Sequence, residues 1–127
     1  MRVVDSSAWI EWLSGSGLGR RVASELPANH EWVVPAIIQY ELKRWALRAG
    51  ADPQSDATLA FSNKLILWPL DSDLAIKAAE VAALHSLAMA DAIIYATALD
   101  AGAGLLTCDA HFANLPNVVY LAKTPPP

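Results

Sequence analysis

Short apolar runs alternate with segments of helical periodicity along the whole chain, and this alternation restricts the available folds more than any other property. Val3-Val4, Glu31 to Val34, Leu65 to Leu70, Gly104 to Thr107 and Val118 to Leu121 read as strands. They are continuous apolar runs without in/out alternation, as expected of strands covered on both faces. Between them, Ser6 to Leu13 carries Trp9, Trp12 and Leu13 at helical spacing. Leu18, Val22 and Leu26 mark a second short helix before Pro27. Pro35 opens a helix that runs through Ile37, Ile38 and Glu41 to Arg48 and stops at Gly50. Ala57 to Lys64 reads as helical. Asp71-Ser72-Asp73 supplies N-cap chemistry for a long helix carrying Leu74, Ala78, Val81 and His85 on one face. A last helix runs from about Met89 to Ala101, closed by Gly102, and a short turn or helix falls around Ala110 to Ala113. Strands alternating with helices require right-handed crossovers and build a parallel sheet. The expectation is one three-layer α/β domain over residues 1–123, followed by a frayed tail, Thr124-Pro125-Pro126-Pro127.

Composition narrows the class. A chain of 127 residues, 54% of them hydrophobic, can bury a substantial core as a single domain. No apolar run reaches the roughly 18 residues of a membrane span, because Lys77, Glu80, His85, Asp91 and Asp100 interrupt the richest region. The N-terminal residues lead straight to an acid without the extended apolar stretch of a signal peptide. The single Cys108 excludes an intrachain disulfide framework and suits a reducing cytoplasm, which is the expected location. A net charge of −4 does not advertise a nucleic-acid binder, but it is an average that a cluster of acids can dominate.

The acids are placed where such a sheet holds its ligands, beyond the carboxyl ends of the strands. Asp5 follows strand one directly, and Asp109 lies two residues past Thr107 at the end of strand four. Glu41 stands under two turns into the helix after strand two, and Asp91 stands in the first turn or so of the helix that leads to strand four. Asp91 and Glu41 are embedded in Ala88-Met89-Ala90-Asp91-Ala92-Ile93-Ile94 and in Pro35-Ala36-Ile37-Ile38-Gln39-Tyr40-Glu41-Leu42, contexts more typical of a core than of a solvated face. Taken singly, each acid fits a helix cap or a solvated edge; four at one sheet edge do not. Two carboxylates about 5 Å apart repel by roughly 3 kcal/mol at an effective dielectric of about 20. Such a cluster must hold protons or cations, and hard oxygen ligands select Mg²⁺ or Mn²⁺ over zinc. Metal-assisted cleavage of a phosphodiester, with a metal-activated water as nucleophile, is the chemistry this points to.

The motifs Asp5-Ser6-Ser7-Ala8-Trp9-Ile10-Glu11-Trp12-Leu13, Pro35 to Leu42, Met89-Ala90-Asp91-Ala92-Ile93-Ile94-Tyr95-Ala96-Thr97-Ala98 and Leu105-Leu106-Thr107-Cys108-Asp109-Ala110-His111-Phe112 together resemble PIN-domain ribonucleases. Their order and spacing are most similar to the small toxins of VapBC-type toxin–antitoxin pairs, over nearly the whole chain. The resemblance implies a five-stranded parallel sheet of order 3-2-1-4-5 with helices on both faces. It implies Mg²⁺- or Mn²⁺-dependent endonucleolytic cleavage of RNA, with tRNA and rRNA among the candidate targets, a cognate antitoxin partner and a homodimer. Asp5, Glu41, Asp91 and Asp109 match the family's acidic metal site, and Ser7 and Thr107 match hydroxyl positions that support it. Ala88 departs from the pattern, standing where many relatives carry a Ser or Thr helix cap.

Other residues carry less. Arg44 and Arg48 share a helix face with Glu41 and are candidates for contact with an RNA backbone, against the alternative of solvated helix charges; Arg20 and Arg21 are weaker candidates. His30, His85 and His111 have no metal-like spacing. His111 is close to Asp109 in sequence but is not assigned to catalysis, and Cys108 reads as a small buried residue. Trp9 and Trp12, one turn apart, suit core packing, or else a groove for a partner. The alternative function is a non-catalytic PIN-like module that binds RNA or protein. Phosphatase or phospho-acceptor chemistry of the haloacid-dehalogenase or receiver type is disfavoured, because Ser7 occupies the position of the second Asp and no paired acids follow strand one.

Overall fold

The computed structural model describes residues 1–50 and 52–123; the expected Pro-rich tail, 124–127, lies outside them. The elements are β1 (Arg2–Val4), α1 (Ser6–Ser14), α2 (Gly17–Ala23), a short 3-10 turn (Asn29–Glu31), β2 (Trp32–Pro35) and α3 (Ala36–Ala49). They continue with α4 (Asp52–Ser62), β3 (Ile66–Trp68), α5 (Ser72–His85), α6 (Met89–Asp100), β4 (Gly104–Thr107), a second 3-10 turn (Ala110–Phe112) and β5 (Val118–Tyr120). The sheet is parallel throughout and ordered β3-β2-β1-β4-β5, the three-layer α/β arrangement expected of the strand–helix alternation. Among the described residues, no single helix is long and apolar enough to cross a membrane.

β1 is the central strand. Val3 pairs with Val33 on one side and Leu105 on the other, and all three are buried. Continuous apolar runs are therefore right for β1, β2 and β4. The edge strands differ: β3 and β5 are only partly buried, and Leu67 is 42% exposed. β3 is also shorter than the run Leu65 to Leu70. Pro69 has no N–H to continue the ladder.

Local chemistry sets the helix ends. Asp71 caps α5 by accepting from the Leu74 N–H at 2.9 Å, and Ser16 caps α2 through the Gly19 N–H at 2.9 Å. Pro35 ends β2 and serves as the N-cap of α3, one position before the expected first helical turn. α4 begins at Asp52, earlier than Ala57. Ala88 caps α6 with backbone alone. The missing Ser or Thr is not compensated by another side chain. Gly19 lets α2 close on α1, since a Cβ there would stand 2.1 Å from the Glu11 carbonyl oxygen.

Trp9 and Trp32 are buried, with ring centroids 4.8 Å apart, and Trp12 and Phe61 complete an aromatic cluster around them. Of the two readings for these tryptophans, the structure gives core packing for Trp9, and Trp12 is a half-buried neighbour packed against it. This cluster fixes α1 against the sheet, and α1 begins at the residue after Asp5.

Candidate active site at the carboxyl edge of the sheet

Strand order brings the acids together. β1 lies between β2 and β4, so Asp5 leaves the sheet flanked by the helix that follows β2 and the loop that follows β4. Glu41 arrives from α3, Asp109 from the end of β4, and Asp91 from the first turn of α6. The carboxyl groups of Asp5 and Glu41 both feel the charges of Asp91 and Asp109. The four acids expected at one edge do meet there.

Asp5 is 3% exposed and sits in a closed hydrogen-bond network. Its Oδ1 accepts from the Ser6 N–H at 2.9 Å, and its Oδ2 accepts from the Ser7 hydroxyl at 2.7 Å and the Thr107 hydroxyl at 2.8 Å. Each hydroxyl in turn accepts a backbone N–H: Ser7 Oγ from Cys108 at 3.0 Å and Thr107 Oγ1 from Asp109 at 2.9 Å. The supporting contacts expected of Ser7 and Thr107 are both present. They join the loop after β4 to the end of β1 through one carboxylate. Burial pushes the Asp5 carboxyl above its ordinary pKa, the Ser7 and Thr107 hydroxyls pull it back, and Asp91 and Asp109 push it further up.

Glu41 is held differently. Its Oε1 is buried and has no hydrogen-bond partner among the described residues. Burial raises its pKa, the Ser6 hydroxyl beside it lowers it, and the other three acids raise it again. A buried carboxylate oxygen without a donor costs about 1–3 kcal/mol or more, and a cation is the partner that would relieve both the desolvation and the repulsion. Asp91 is likewise raised by burial and by Asp109, and lowered by His111.

His111 takes part in the site, which its spacing did not reveal. Its Nδ1 lies 3.2 Å from Asp91 Oδ2 and 3.3 Å from Asp109 Oδ1. Asp109 caps the 3-10 turn by accepting the His111 N–H at 2.9 Å, which swings the imidazole back over the acids. The sequence signal was an Asp followed two residues later by a His at the start of a turn, and it is a weak one. One oxygen from each of Asp91 and Asp109 and one nitrogen from His111 lie within 4.8 Å of one another. Oxygen-rich ligands with one exposed imidazole suit Mg²⁺ or Mn²⁺, so the residues present fit such an ion.

Arg44 and Arg48 line a groove of about 430 Å³ beside Glu41, together with Ser6, Ile10, Tyr40 and Trp45. Arg44 donates to the Tyr40 hydroxyl at 3.1 Å. Cys108 is buried, and burial with the nearby Glu11 and Asp5 carboxylates raises its thiol pKa to about 11. Such a thiol is inert near neutral pH.

The comparisons with known proteins agree with this architecture. The sequence model of the PIN domain matches residues 2–118. No protein of curated function matches the chain in sequence. Among solved structures, a toxin–antitoxin complex from Klebsiella pneumoniae is similar at 22% identity with a TM-score of 0.78, over 94% of this chain and 96% of that one. VapC20 from Mycobacterium tuberculosis, a Sarcin-Ricin loop cleaving toxin, is similar at 19% identity with a TM-score of 0.75, over 93% and 97%. FitAcB from Neisseria gonorrhoeae follows at 21% identity with a TM-score of 0.72, over 95% and 97%. At these identities the likeness is one of fold.

Proposed function

We propose that this chain, which belongs to the PIN-domain family, is a Mg²⁺- or Mn²⁺-dependent endoribonuclease and the toxin of a toxin–antitoxin pair. The buried, partnerless Oε1 of Glu41 beside three further acids carries the reading. A cation would satisfy that oxygen and offset the repulsion at once while leaving all four carboxylates ionised. Asp5, Glu41, Asp91 and Asp109 are the residues that would hold the ion, with His111 at the exposed side. A bound divalent cation supplies charge neutralisation at the scissile phosphate and activation of a water. The chain's own part is positional: Ser7 and Thr107 fix the Asp5 carboxylate, and the N-terminal turn of α1 presents it at the sheet edge.

RNA as substrate is supported by the similarity to VapC20, a Sarcin-Ricin loop cleaving toxin, and by the two arginines beside Glu41. An antitoxin partner is supported by the similar structures solved as toxin–antitoxin complexes, and a homodimer is part of the same proposal. A cytoplasmic, single-domain protein fits the unpaired Cys108 and the matched range. Purified protein should cut RNA with Mg²⁺ or Mn²⁺ and not in EDTA, and Asp5→Asn or Asp91→Asn should abolish cutting with the fold intact. Metal binding by calorimetry without cleavage of any RNA tested would instead favour a non-catalytic binding module.

A further inference from the structure

His111 stands over the exposed half of the carboxylate cluster in a way that a hydrogen bond alone does not explain. Its Nδ1 lies 3.2 Å from Asp91 Oδ2 and 3.3 Å from Asp109 Oδ1. A ring nitrogen has one proton or one lone pair to offer, and a charge-assisted bond to a carboxylate closes to about 2.7–2.9 Å. Both contacts are longer than that, and neither carboxylate is favoured over the other. Two atoms in adjacent positions around an octahedral ion, by contrast, stand about 3 Å apart when each bond is about 2.1 Å. One atom from each of Asp91, Asp109 and His111 lies within 4.8 Å of the others. The spacing is that of groups arranged to share one cation.

The backbone holds the imidazole there. The His111 N–H donates to Asp109 Oδ1 at 2.9 Å, and the buried Phe112 anchors the same 3-10 turn in the core. The His111 side chain is 73% exposed, against 18% for Asp91, and Asp5 lies deeper still. The nitrogen therefore sits on the solvent side of the cluster, where it adds a donor without displacing an acid. The other two histidines are placed elsewhere: His30 lies beside Glu31, and His85 packs its ring against Tyr95. A nitrogen changes what such a site selects. Mg²⁺ keeps oxygen ligands and several waters, so it gains little from an imidazole. Affinity for sites containing nitrogen climbs along the first transition row from Mn²⁺ through Co²⁺ to Ni²⁺.

We infer that His111 is a nitrogen ligand beside Asp91 and Asp109 and that it sets the metal preference of the site, toward a divalent transition ion such as Mn²⁺ and away from Mg²⁺. This rests on the metal-dependent nuclease reading and deepens it by naming the class of ion and the residue that chooses it. The acids alone supply charge and hard oxygens, which suit either ion; the imidazole is the group that tells them apart.

The test uses the full chain, titrated calorimetrically with MgCl₂, MnCl₂ and CoCl₂ in turn, and pulsed electron paramagnetic resonance of the Mn²⁺-loaded protein. The wild type should show nitrogen modulation from a coordinated imidazole, and His111→Ala should lose it. His111→Ala should weaken Mn²⁺ binding by about tenfold and Co²⁺ binding by more, while Mg²⁺ affinity changes by less than about twofold. His111→Gln, which restores a polar side chain but no imidazole, should show the same loss for Co²⁺. An equal loss for all three ions in His111→Ala would overturn the inference, because it would show that His111 only orients Asp91 and Asp109. So would a Mn²⁺-loaded wild type without nitrogen modulation, a measurement that needs no variant to fold. A wild type that binds none of the three ions would instead bring down the metal-dependent nuclease reading itself, and the preference with it.

Discussion

Thr107 lies 102 positions beyond Asp5 in sequence and donates its hydroxyl to Asp5 Oδ2 at 2.8 Å, while accepting the Asp109 N–H at 2.9 Å. One buried hydroxyl therefore links two of the four acids, one through its side chain and the other through its backbone. Thr107→Val keeps the shape and removes both bonds. The Asp109 N–H and one lone pair of Asp5 would then lack partners, at about 1–3 kcal/mol for each buried group left unsatisfied. We expect the variant to melt lower and to bind Mn²⁺ roughly 10- to 100-fold more weakly, as when other supporting contacts behind metal ligands are lost. Calorimetric titration alongside thermal melts measures both, and wild-type Mn²⁺ affinity in the variant would disprove the linkage.

Asp91 and Asp109 repel each other in the metal-free protein, and burial adds to the cost. Asp91→Asn removes that repulsion, which is on the order of 1 kcal/mol for charges about 4 Å apart in a well-hydrated setting. The metal-free variant should therefore be more stable than the wild type. Saturating Mn²⁺ should reverse the order, since an ion at 100 times its dissociation constant adds about 2.7 kcal/mol to a protein that binds it. Urea denaturation in EDTA and in Mn²⁺ tests the crossing. A variant less stable than wild type in both conditions would show that the acids do not form a strained cation site.

The parallel sheet and the meeting of the acids were legible because they follow from strand order and from which residue succeeds each strand. Asp5 and Asp109 could be placed by counting from Val4 and Thr107. His111 could not, because its contact with Asp91 depends on the 3-10 turn that Asp109 caps, and a three-residue turn leaves no periodicity to read. That Tyr120 and Lys123 line the groove beside Asp109 could not be read for a related reason. They are brought to the site by an edge strand and the segment after it, and nothing in their own neighbourhood marks an active site. Trp9 and Trp12 were ambiguous because spacing along a helix shows that residues share a face without showing what that face meets. The exposed edges β3 and β5 also look like buried strands in sequence, since an apolar run does not record how many neighbours its strand will have.

The pH dependence of stability in the absence of metal has a definite sign. Asp5, Glu41 and Asp91 all have pKa values raised in the folded state, so the folded protein binds more protons than the unfolded chain and loses stability as pH rises. The cost is absent below the unfolded carboxylate value of about 4 and fully present above the raised folded values. Asp100 acts the other way: hydrogen bonding to Lys77 lowers it, so any contribution it makes is lost only on acidification through that lowered value. Urea midpoints in EDTA should therefore fall as the pH rises above about 4, and Mn²⁺ should remove or reverse the trend, because the ion requires the deprotonated ligands. A flat profile in EDTA would mean that the acids do not carry raised values.

The N-terminus of α6 is the place where the chain can be improved without touching the cluster. Ala88 occupies the N-cap with φ −65° and ψ 162°, an extended conformation that any capping residue adopts, yet no side chain caps the helix. Ala88→Ser places a hydroxyl within reach of a free N–H in the first turn, and such caps are worth about 0.5–2 kcal/mol relative to alanine. The gain acts on the helix that carries Asp91. The melting temperature should rise by a few degrees, in EDTA as well as in Mn²⁺, since the cap stabilises the helix whether or not an ion is bound. Cleavage should change little, because Asp91 already holds its position through the buried run Ala92 to Ala98 behind it. A rise seen only with Mn²⁺ would mean that the serine acts on the metal site rather than on the helix. No rise in either condition would mean that the first-turn N–H groups of α6 are already satisfied by solvent.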